Sequence, residues 1–178
     1  GRHAMERIPE RVPVRHAKVE IGSIRGTSSH QYNPAMILCD PAATEDFGSC
    51  YGFCFAYSGN FVAGAQKDQR GLTRVQMGIH PVQFRYTLAA GEAFFAPQVL
   101  MSYSSEGFTG LTHQYHDLIR EHICRGAYKH AKRPVLINNW EATYFDFDKE
   151  KIVKIAQQAH ELGIEMLVLD DGWFGKRD

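Results

Sequence analysis

Two short apolar runs with one amphipathic helix between them constrain the fold of this chain more than any other feature. The runs are Val-Leu-Ile at 135–137 and Met-Leu-Val-Leu at 166–169, and neither alternates polar with apolar residues. Continuous apolar runs are typical of strands that are covered on both faces of a sheet. Because a tight hairpin leaves no room for a helix, the two strands should be parallel neighbours. The sequence therefore predicts a strand, helix, strand unit in a parallel sheet.

The predicted helix has recognisable start and stop signals. Asp148 is a candidate N-cap, Glu150 lies near the positive end of the helix dipole, and Gly163 is a candidate stop. The apolar positions fall on one stripe and are Ile152, Ile155, Ala156, Ala159 and Leu162.

A polar and aromatic cluster directly follows each apolar run. Asn-Asn-Trp-Glu occupies 138–141, and Asp-Asp-Gly-Trp occupies 170–173. The carboxyl ends of parallel strands meet at one edge of a sheet, where ligands bind in α/β proteins. Ionised carboxylates accept hydrogen bonds from hydroxyl groups. Trp140 beside Asp170 and Asp171 therefore suits a polyhydroxylated ligand.

These residues also have plainer interpretations. A tryptophan at a strand end is more often a core or lid residue, and an Asp-Asp pair can cap a turn or hold Mg²⁺. The lack of a Gly-rich phosphate loop beside the pair argues against magnesium. Trp173 fits packing and ligand contact equally well, and Glu141 and Asp146 are expected to make structural hydrogen bonds.

The first half of the chain has a β-rich pattern. From about residue 11 to residue 103, short runs alternate with Gly, Pro and Asn turns. Aromatic residues alternate with others at 51–57, Ser-Gly-Asn at 58–60 forms a turn, and residues 61–63 begin the return strand. The period of two recurs at 82–88, and further apolar runs lie at 94–95 and 99–101. At least six antiparallel strands are predicted, as in a β-sandwich.

A helical face and a basic connector separate the two halves. The face consists of Leu111, Tyr115, Leu118, Ile119 and Ile123, and the connector covers 128–134. We therefore predict a β-sandwich domain at 1–108, a helical linker at 109–133 and the start of a (β/α)8 barrel at 134–178. A complete barrel takes about 250 residues, so the barrel is expected to be truncated here.

Charge and composition argue against several classes of partner. Twenty basic residues balance twenty acidic ones, which disfavours nucleic acid and anionic membranes. No apolar run approaches the ~20 residues of a membrane-spanning helix. The four cysteines show no metal-type pair spacing. Among the nine histidines, His113 and His116 lie one turn apart on a probable helix, but no Cys or further carboxylate lies beside them at ligand spacing, so we expect reduced thiols and no metal site. Unpaired cysteines favour a cytoplasmic location.

Four stretches resemble the bacterial α-galactosidases of glycoside hydrolase family 36. Two of them are VLINNWEATYFD at 135–146 and LDDGWFG at 169–175. The stretches RGTSSHQ at 25–31 and YSGNF at 57–61 resemble the β-sandwich domain that precedes the catalytic barrel in that family. The resemblance covers nearly the whole chain.

This resemblance implies a retaining hydrolase that removes terminal α-linked galactose from raffinose-type oligosaccharides and melibiose-like substrates through a covalent glycosyl-enzyme. It implies that Trp140 forms an aromatic wall of the galactose pocket and that Asp170 and Asp171 accept hydrogen bonds from the sugar. The nucleophile and the acid/base are expected beyond Asp178, so no catalytic residue is expected in this chain, which should be inactive alone. The family pattern implies no cofactor and a homo-oligomer.

A second hypothesis is a non-catalytic carbohydrate-binding or assembly module. In that case the β domain would bind the sugar, and the α/β tail would dock to a partner. A galactose affinity lying in the β domain would favour this hypothesis.

Overall fold

The computed structural model describes residues 10–28 and 32–175. The chain forms two compact units, Gly1–Ile123 and Cys124–Asp178. Within the described residues, no helix combines the length and the apolar character that crossing a bilayer demands. Three residues of the family-like stretch at 25–31, Ser29 to Gln31, lie outside the described ranges.

The secondary structure changes along the chain from mainly β-strands to a mixture of helices and strands. Its elements are β1 (Val19–Ser23), β2 (Ala35–Cys39), β3 (Cys50–Phe55), β4 (Phe61–Lys67), β5 (Thr73–Ile79), β6 (Val99–Ser104), α1 (Gly107–Leu118) with a π turn at Ile119–Ile123, β7 (Leu136–Asn138), α2 (Trp140–Thr143), α3 (Lys149–Glu161) and β8 (Met166–Val168). Within the described ranges, the six strands β1 to β6 lie in the first unit, and β7 and β8 lie in the second.

Two antiparallel sheets of three strands form the first unit. One has the order β1-β4-β5 and the other the order β2-β3-β6. Phe61 and Ala63 from one sheet and Phe55 from the other form a single buried cluster. Because side chains from both sheets fill one core, the unit is a β-sandwich, and the predicted fold class is confirmed.

The central strand β3 is buried on its second face as well. Cys50 packs with Leu111 of α1 and with Ala43. A Cβ added at Gly52 would lie 2.5 Å from Cε2 of Tyr115, so this position has no room for a side chain. The Tyr115 hydroxyl donates a hydrogen bond to the Leu100 carbonyl at 3.0 Å, which holds the ring over the glycine. Helix α1 thus covers the outer face of the β2-β3-β6 sheet.

The thiols of β3 lie on the face of the strand that packs against α1. All four cysteines are free, as expected from the sequence. Burial raises the pKa of the Cys50 thiol and of the Cys54 thiol, and burial also raises the pKa of the Tyr115 hydroxyl. A raised thiol pKa lowers the fraction of thiolate, which is the nucleophilic form of cysteine.

The turn at 58–60 does not connect a hairpin. Strand β3 pairs with β2 and β6, whereas β4 pairs with β1 and β5, so the turn carries the chain from one sheet to the other. The prediction that residues 61–63 begin a return strand beside β3 was therefore wrong. Phe55 and Phe61 flank the turn and meet in the shared core, so the crossing lets both sheets bury an aromatic ring.

The alternating run at 82–88 is not a strand, and neither is the pair at 94–95. Gln83 has a φ of 60°, which breaks the extended backbone that an alternating run requires. The Phe84 amide also closes a turn by donating to the Pro81 carbonyl at 3.3 Å. Side chains of this segment instead contact one another, with the Tyr86 and Phe94 ring centroids 4.6 Å apart.

The second unit contains the predicted strand, helix, strand arrangement. Strands β7 and β8 are parallel, with Leu136 opposite Met166 and Asn138 opposite Val168. Asp148 caps α3, since its Oδ1 accepts the Lys151 amide at 2.8 Å. The parallel unit and the helix start are thus confirmed.

Three details of the predicted packing were wrong. Leu162, placed on the apolar stripe, is 81% exposed because it follows the last turn of α3. Leu136 of β7 is 50% exposed, so the expected cover on both faces of the strands is not present within the described residues. The outer part of the predicted helical face, Ile119 and Ile123, is likewise exposed on the π turn.

We predict that Gly52→Ala lowers the free energy of unfolding of the first unit by about 1–3 kcal/mol, because the added methyl group overlaps the Tyr115 ring. Gly78→Ala in β5 is the matched control, since nothing lies within 4 Å of its added Cβ. Chemical denaturation of the two variants checks this. Equal stabilities would show that Tyr115 moves aside at no cost.

We predict that backbone amides of β7 and β8 exchange with deuterium faster than those of β3 and β4. The reason is that β3 is covered on both faces, whereas the two-stranded sheet is half-exposed. Hydrogen exchange followed by mass spectrometry on this chain checks it. Equally slow exchange in both units would contradict the prediction.

Candidate functional site

The polar clusters that follow β7 and β8 meet at one edge of the parallel sheet. Asn138 is the last residue of β7, and Asp170 lies two residues after β8 ends at Val168. The Asn138 amide Nδ2 donates a hydrogen bond to Asp170 Oδ2 at 2.6 Å. The structure therefore brings the two clusters together, as the parallel arrangement predicted.

Asn139 links the ends of β7 and β8 through hydrogen bonds. Its side chain is completely buried, with an exposure of 0%. Asn139 Oδ1 accepts the Asp170 amide at 2.8 Å, and its Nδ2 donates to Thr143 Oγ1 at 2.9 Å. Its own backbone amide donates to the Val168 carbonyl at 3.3 Å. One buried residue of the first strand end thus fixes the backbone from which Asp170 projects.

Trp140 opens the short helix α2 and lies half-buried beside these asparagines. Its backbone amide donates to Asn138 Oδ1 at 2.7 Å, which forms an Asx turn. The indole packs edge-on against Tyr144, with ring centroids 5.2 Å apart, and against Phe145 at 4.9 Å. These contacts fix the orientation of the ring while part of its surface stays accessible.

The two carboxylates differ in their surroundings. Asp170 is half-buried, and each of its oxygens accepts one bond, Oδ2 from Asn138 and Oδ1 from the Asp171 amide at 2.8 Å. A carboxylate oxygen has two lone pairs, so Asp170 keeps acceptor capacity for a ligand. Asp171 is exposed.

The loop after β8 packs closely on the loop after α2. Gly172 has a φ of +97°, and a Cβ there would lie 3.1 Å from Phe147 Cε1. Tyr144, on the other loop, has a φ of 48°, which is strained for a residue with a side chain. The close approach and the strained backbone together shape the edge at which the carboxylates and the indole meet.

Other residues singled out in the sequence take separate roles. Asp146 pairs with Lys151 on the surface, with 3.0 Å between Oδ2 and Nζ. Trp173 is 68% exposed and contacts Phe174, so it does not fill a core. Residues 10–28 and 32–175 contain no group of three or more His, Cys, Asp or Glu residues that could hold a metal ion.

Sequence reasoning gave no role to Asn138 and Asn139, although both stood in the first cluster. The available signal was two consecutive amides placed directly after a strand. An asparagine there can bond to neighbouring backbone, but whether its second polar atom reaches the next strand depends on the tertiary structure.

The described residues thus form a β-sandwich and a parallel strand, helix, strand unit with carboxylates and an indole at its strand ends. Residues 1–89 match the glycosyl hydrolase family 36 N-terminal domain, and residues 93–178 match Melibiase. The chain belongs to glycoside hydrolase family 36.

Curated relatives carry α-galactosidase names. The chain is 56% identical to the bifunctional α-galactosidase/sucrose kinase AgaSK of Mediterraneibacter gnavus over 178 residues, all of this chain and 19% of that protein. It is 52% identical to the α-galactosidase AgaA of Geobacillus stearothermophilus, again over its full length and 24% of the relative. The chain thus spans a quarter or less of the length of these relatives.

Solved structures agree with this assignment. A variant of the G. stearothermophilus AgaA in complex with raffinose matches with a TM-score of 0.86 and 52% identity, over 94% of this chain and 23% of that one. Another variant of AgaA, in complex with 1-deoxygalactonojirimycin, matches with a TM-score of 0.87, over the same shares of the two chains.

We predict that Asn139→Ala destabilises the second unit by about 1–3 kcal/mol, because it leaves the buried partners Asp170 N and Thr143 Oγ1 without their hydrogen bonds. Asn60→Ala is the control, since Asn60 Oδ1 accepts the Gly26 amide in an exposed turn where water can replace it. The Asp170 amide should exchange faster in the first variant. Equal protection in both variants would remove Asn139 from this role.

Proposed function

We propose that this chain is part of an α-galactosidase that hydrolyses terminal non-reducing α-D-galactosyl residues, and that it supplies one wall of the galactose pocket. The observation that carries the proposal is the joining of Asp170 and Trp140 at the carboxyl ends of β7 and β8 through Asn138. Family membership and the α-galactosidase names of the relatives support it. The substrate class we propose is raffinose-type oligosaccharides and melibiose-like galactosides, supported by the raffinose complex of AgaA.

In this proposal, the carboxylates of Asp170 and Asp171 accept hydrogen bonds from sugar hydroxyl groups. Hydrogen bonds to charged groups contribute roughly 1.5–3 kcal/mol each. The fixed indole of Trp140 offers an apolar face against which the C–H face of a pyranose can pack. The site thus pairs one apolar contact with charged acceptors.

Discrimination between galactose and glucose would follow from the same acceptors. The two sugars differ in the orientation of one hydroxyl, which is axial in galactose. A site that is built to bond a hydroxyl binds poorly when that hydroxyl is absent from its place, because a buried polar group then lacks its partner. We propose that Asp170 or Asp171 makes this distinguishing contact.

The chemical step needs two further carboxyl groups. Retaining glycosidases use a nucleophile and an acid/base about 5 Å apart. The resemblance to family 36 implies that the nucleophile and the acid/base lie beyond Asp178. On that ground we propose that this chain alone does not hydrolyse galactosides.

We also propose a cytoplasmic location, supported by the four free cysteines, because thiols persist in reducing compartments. Assembly as a homo-oligomer stays a prediction from the family resemblance. Sedimentation of the gene product checks it, since a single monomeric species would contradict it.

In the gene product that carries this chain, Asp170→Asn and Asp171→Asn should each lower kcat/KM on an α-galactoside by ~10- to 150-fold, the equivalent of one lost charged hydrogen bond. Turnover of p-nitrophenyl α-galactoside measures this. Asp117→Asn is the control, since Asp117 of α1 pairs with Arg120 of the following π turn and both side chains are exposed.

Two results would contradict the proposal. Unchanged kcat/KM in both variants would place the sugar site elsewhere. A gene product that binds galactose through residues of the first unit, with no hydrolysis, would establish a carbohydrate-binding module instead.

A further inference from the structure

The side chain of Asn138 makes two hydrogen bonds that point to different parts of the site. Its Oδ1 accepts the Trp140 amide at 2.7 Å, two residues along the chain. Its Nδ2 donates to Asp170 Oδ2 at 2.6 Å, across to the loop after β8. One side chain therefore contacts both the carboxylate and the backbone of the residue that carries the indole.

The amide satisfies both contacts because it carries an acceptor oxygen and a donor nitrogen. An aspartate at this position could close the Asx turn to Trp140, but it has no proton to donate to a second carboxylate when ionised. An aliphatic side chain makes neither bond. The Asx turn requires only the acceptor oxygen of residue 138, so the donor nitrogen of Asn138 is not needed for the turn.

The stability of the fold does not explain the two hydrogen bonds of Asn138 equally well. Asn138 is exposed, so water can replace its partners, whereas the fully buried Asn139 already ties the two strand ends together. The bond from Asn138 instead acts on a side chain, because it restrains rotation of the Asp170 carboxylate. A second bond, from the Asp171 amide to Asp170 Oδ1, restrains the other oxygen.

We propose that Asn138 is a positioning residue that holds the Asp170 carboxylate in the orientation in which its remaining lone pairs accept hydrogen bonds from a sugar. This inference rests on the proposed function, since it assigns Asn138 a role through Asp170. The same side chain also accepts the amide of Trp140, the first residue of α2, so it links the carboxylate to the residue that carries the indole. Preorganised acceptors bind better because no side-chain ordering remains to be done on binding.

The decisive variant in the gene product is Asn138→Asp, which has the same shape, keeps the acceptor for the Trp140 amide and removes the donor to Asp170. We expect KM for p-nitrophenyl α-galactoside to rise and kcat/KM to fall by about tenfold, in keeping with one lost charged bond. The melting temperature should stay within ~2 °C of the parent, because exposed substitutions cost little stability. Asn33→Asp, the same change at an exposed residue of the first unit, is the control.

A second variant removes the effect of the added charge. Asn138→Leu loses both bonds without introducing repulsion, and it should also raise KM. In an Asp170→Ala background, Asn138→Asp should change kcat/KM by less than ~2-fold, because coupled residues are not additive.

The outcomes separate this inference from the proposed function. If Asp170→Asn lowers kcat/KM but Asn138→Asp stays within ~2-fold of the parent, the positioning role is wrong and the galactose site stands. If both variants at 138 lose activity only in proportion to the folded fraction, with KM unchanged, Asn138 is merely structural. If Asp170→Asn has no effect but Asp171→Asn does, the positioning role of Asn138 is wrong; if neither variant lowers kcat/KM, the proposed function itself fails.

Discussion

The buried amide of Asn139 is the interaction on which the candidate site depends. The strands β7 and β8 are only three residues long, and neither could fix the loop that follows it by its ladder alone. Asn139 bonds across from one strand end to the backbone of Asp170 and back to Thr143 of α2. Because an unpaired amide in a buried position is costly, these bonds hold the two loops in one arrangement. The carboxylates and the indole project from that arrangement.

The β-sandwich likewise depends on one element, the central strand β3. Strand β3 lies in the centre of its sheet and buries Phe55 toward the opposite sheet and Cys50 toward α1. Gly52 lets Tyr115 approach the strand on the second face. The central strand β3 therefore contributes side chains to both buried clusters of the unit. The remaining strands complete the two sheets.

Local chemistry made some of the structure predictable from the sequence. Asp148 and Gly163 act through neighbouring backbone, so the bounds of α3 followed from residues close in the chain. The parallel pairing of β7 and β8 followed from their connection through a helix. These features need no knowledge of distant contacts, and they sufficed to predict that the clusters at 138–141 and 170–173 converge.

Other features depend on partners that a local pattern does not contain. Alternation at 82–88 could not show that Gln83 adopts a positive φ, and the turn at 58–60 could not show which sheet receives β4. The roles of Asn138 and Asn139 depend on Asp170, more than thirty positions away. Periodicity indicates which face a side chain takes, but the partner strand or loop is set by tertiary packing.

The most direct test of the account is a crystal structure of the gene product with galactose bound. The account predicts that carboxylate oxygens of Asp170 and Asp171 lie within hydrogen-bond distance of sugar hydroxyls, with the Trp140 ring against the pyranose and the bond between Asn138 and Asp170 intact. Galactose bound away from the ends of β7 and β8, with these side chains in contact only with solvent or protein, would contradict it.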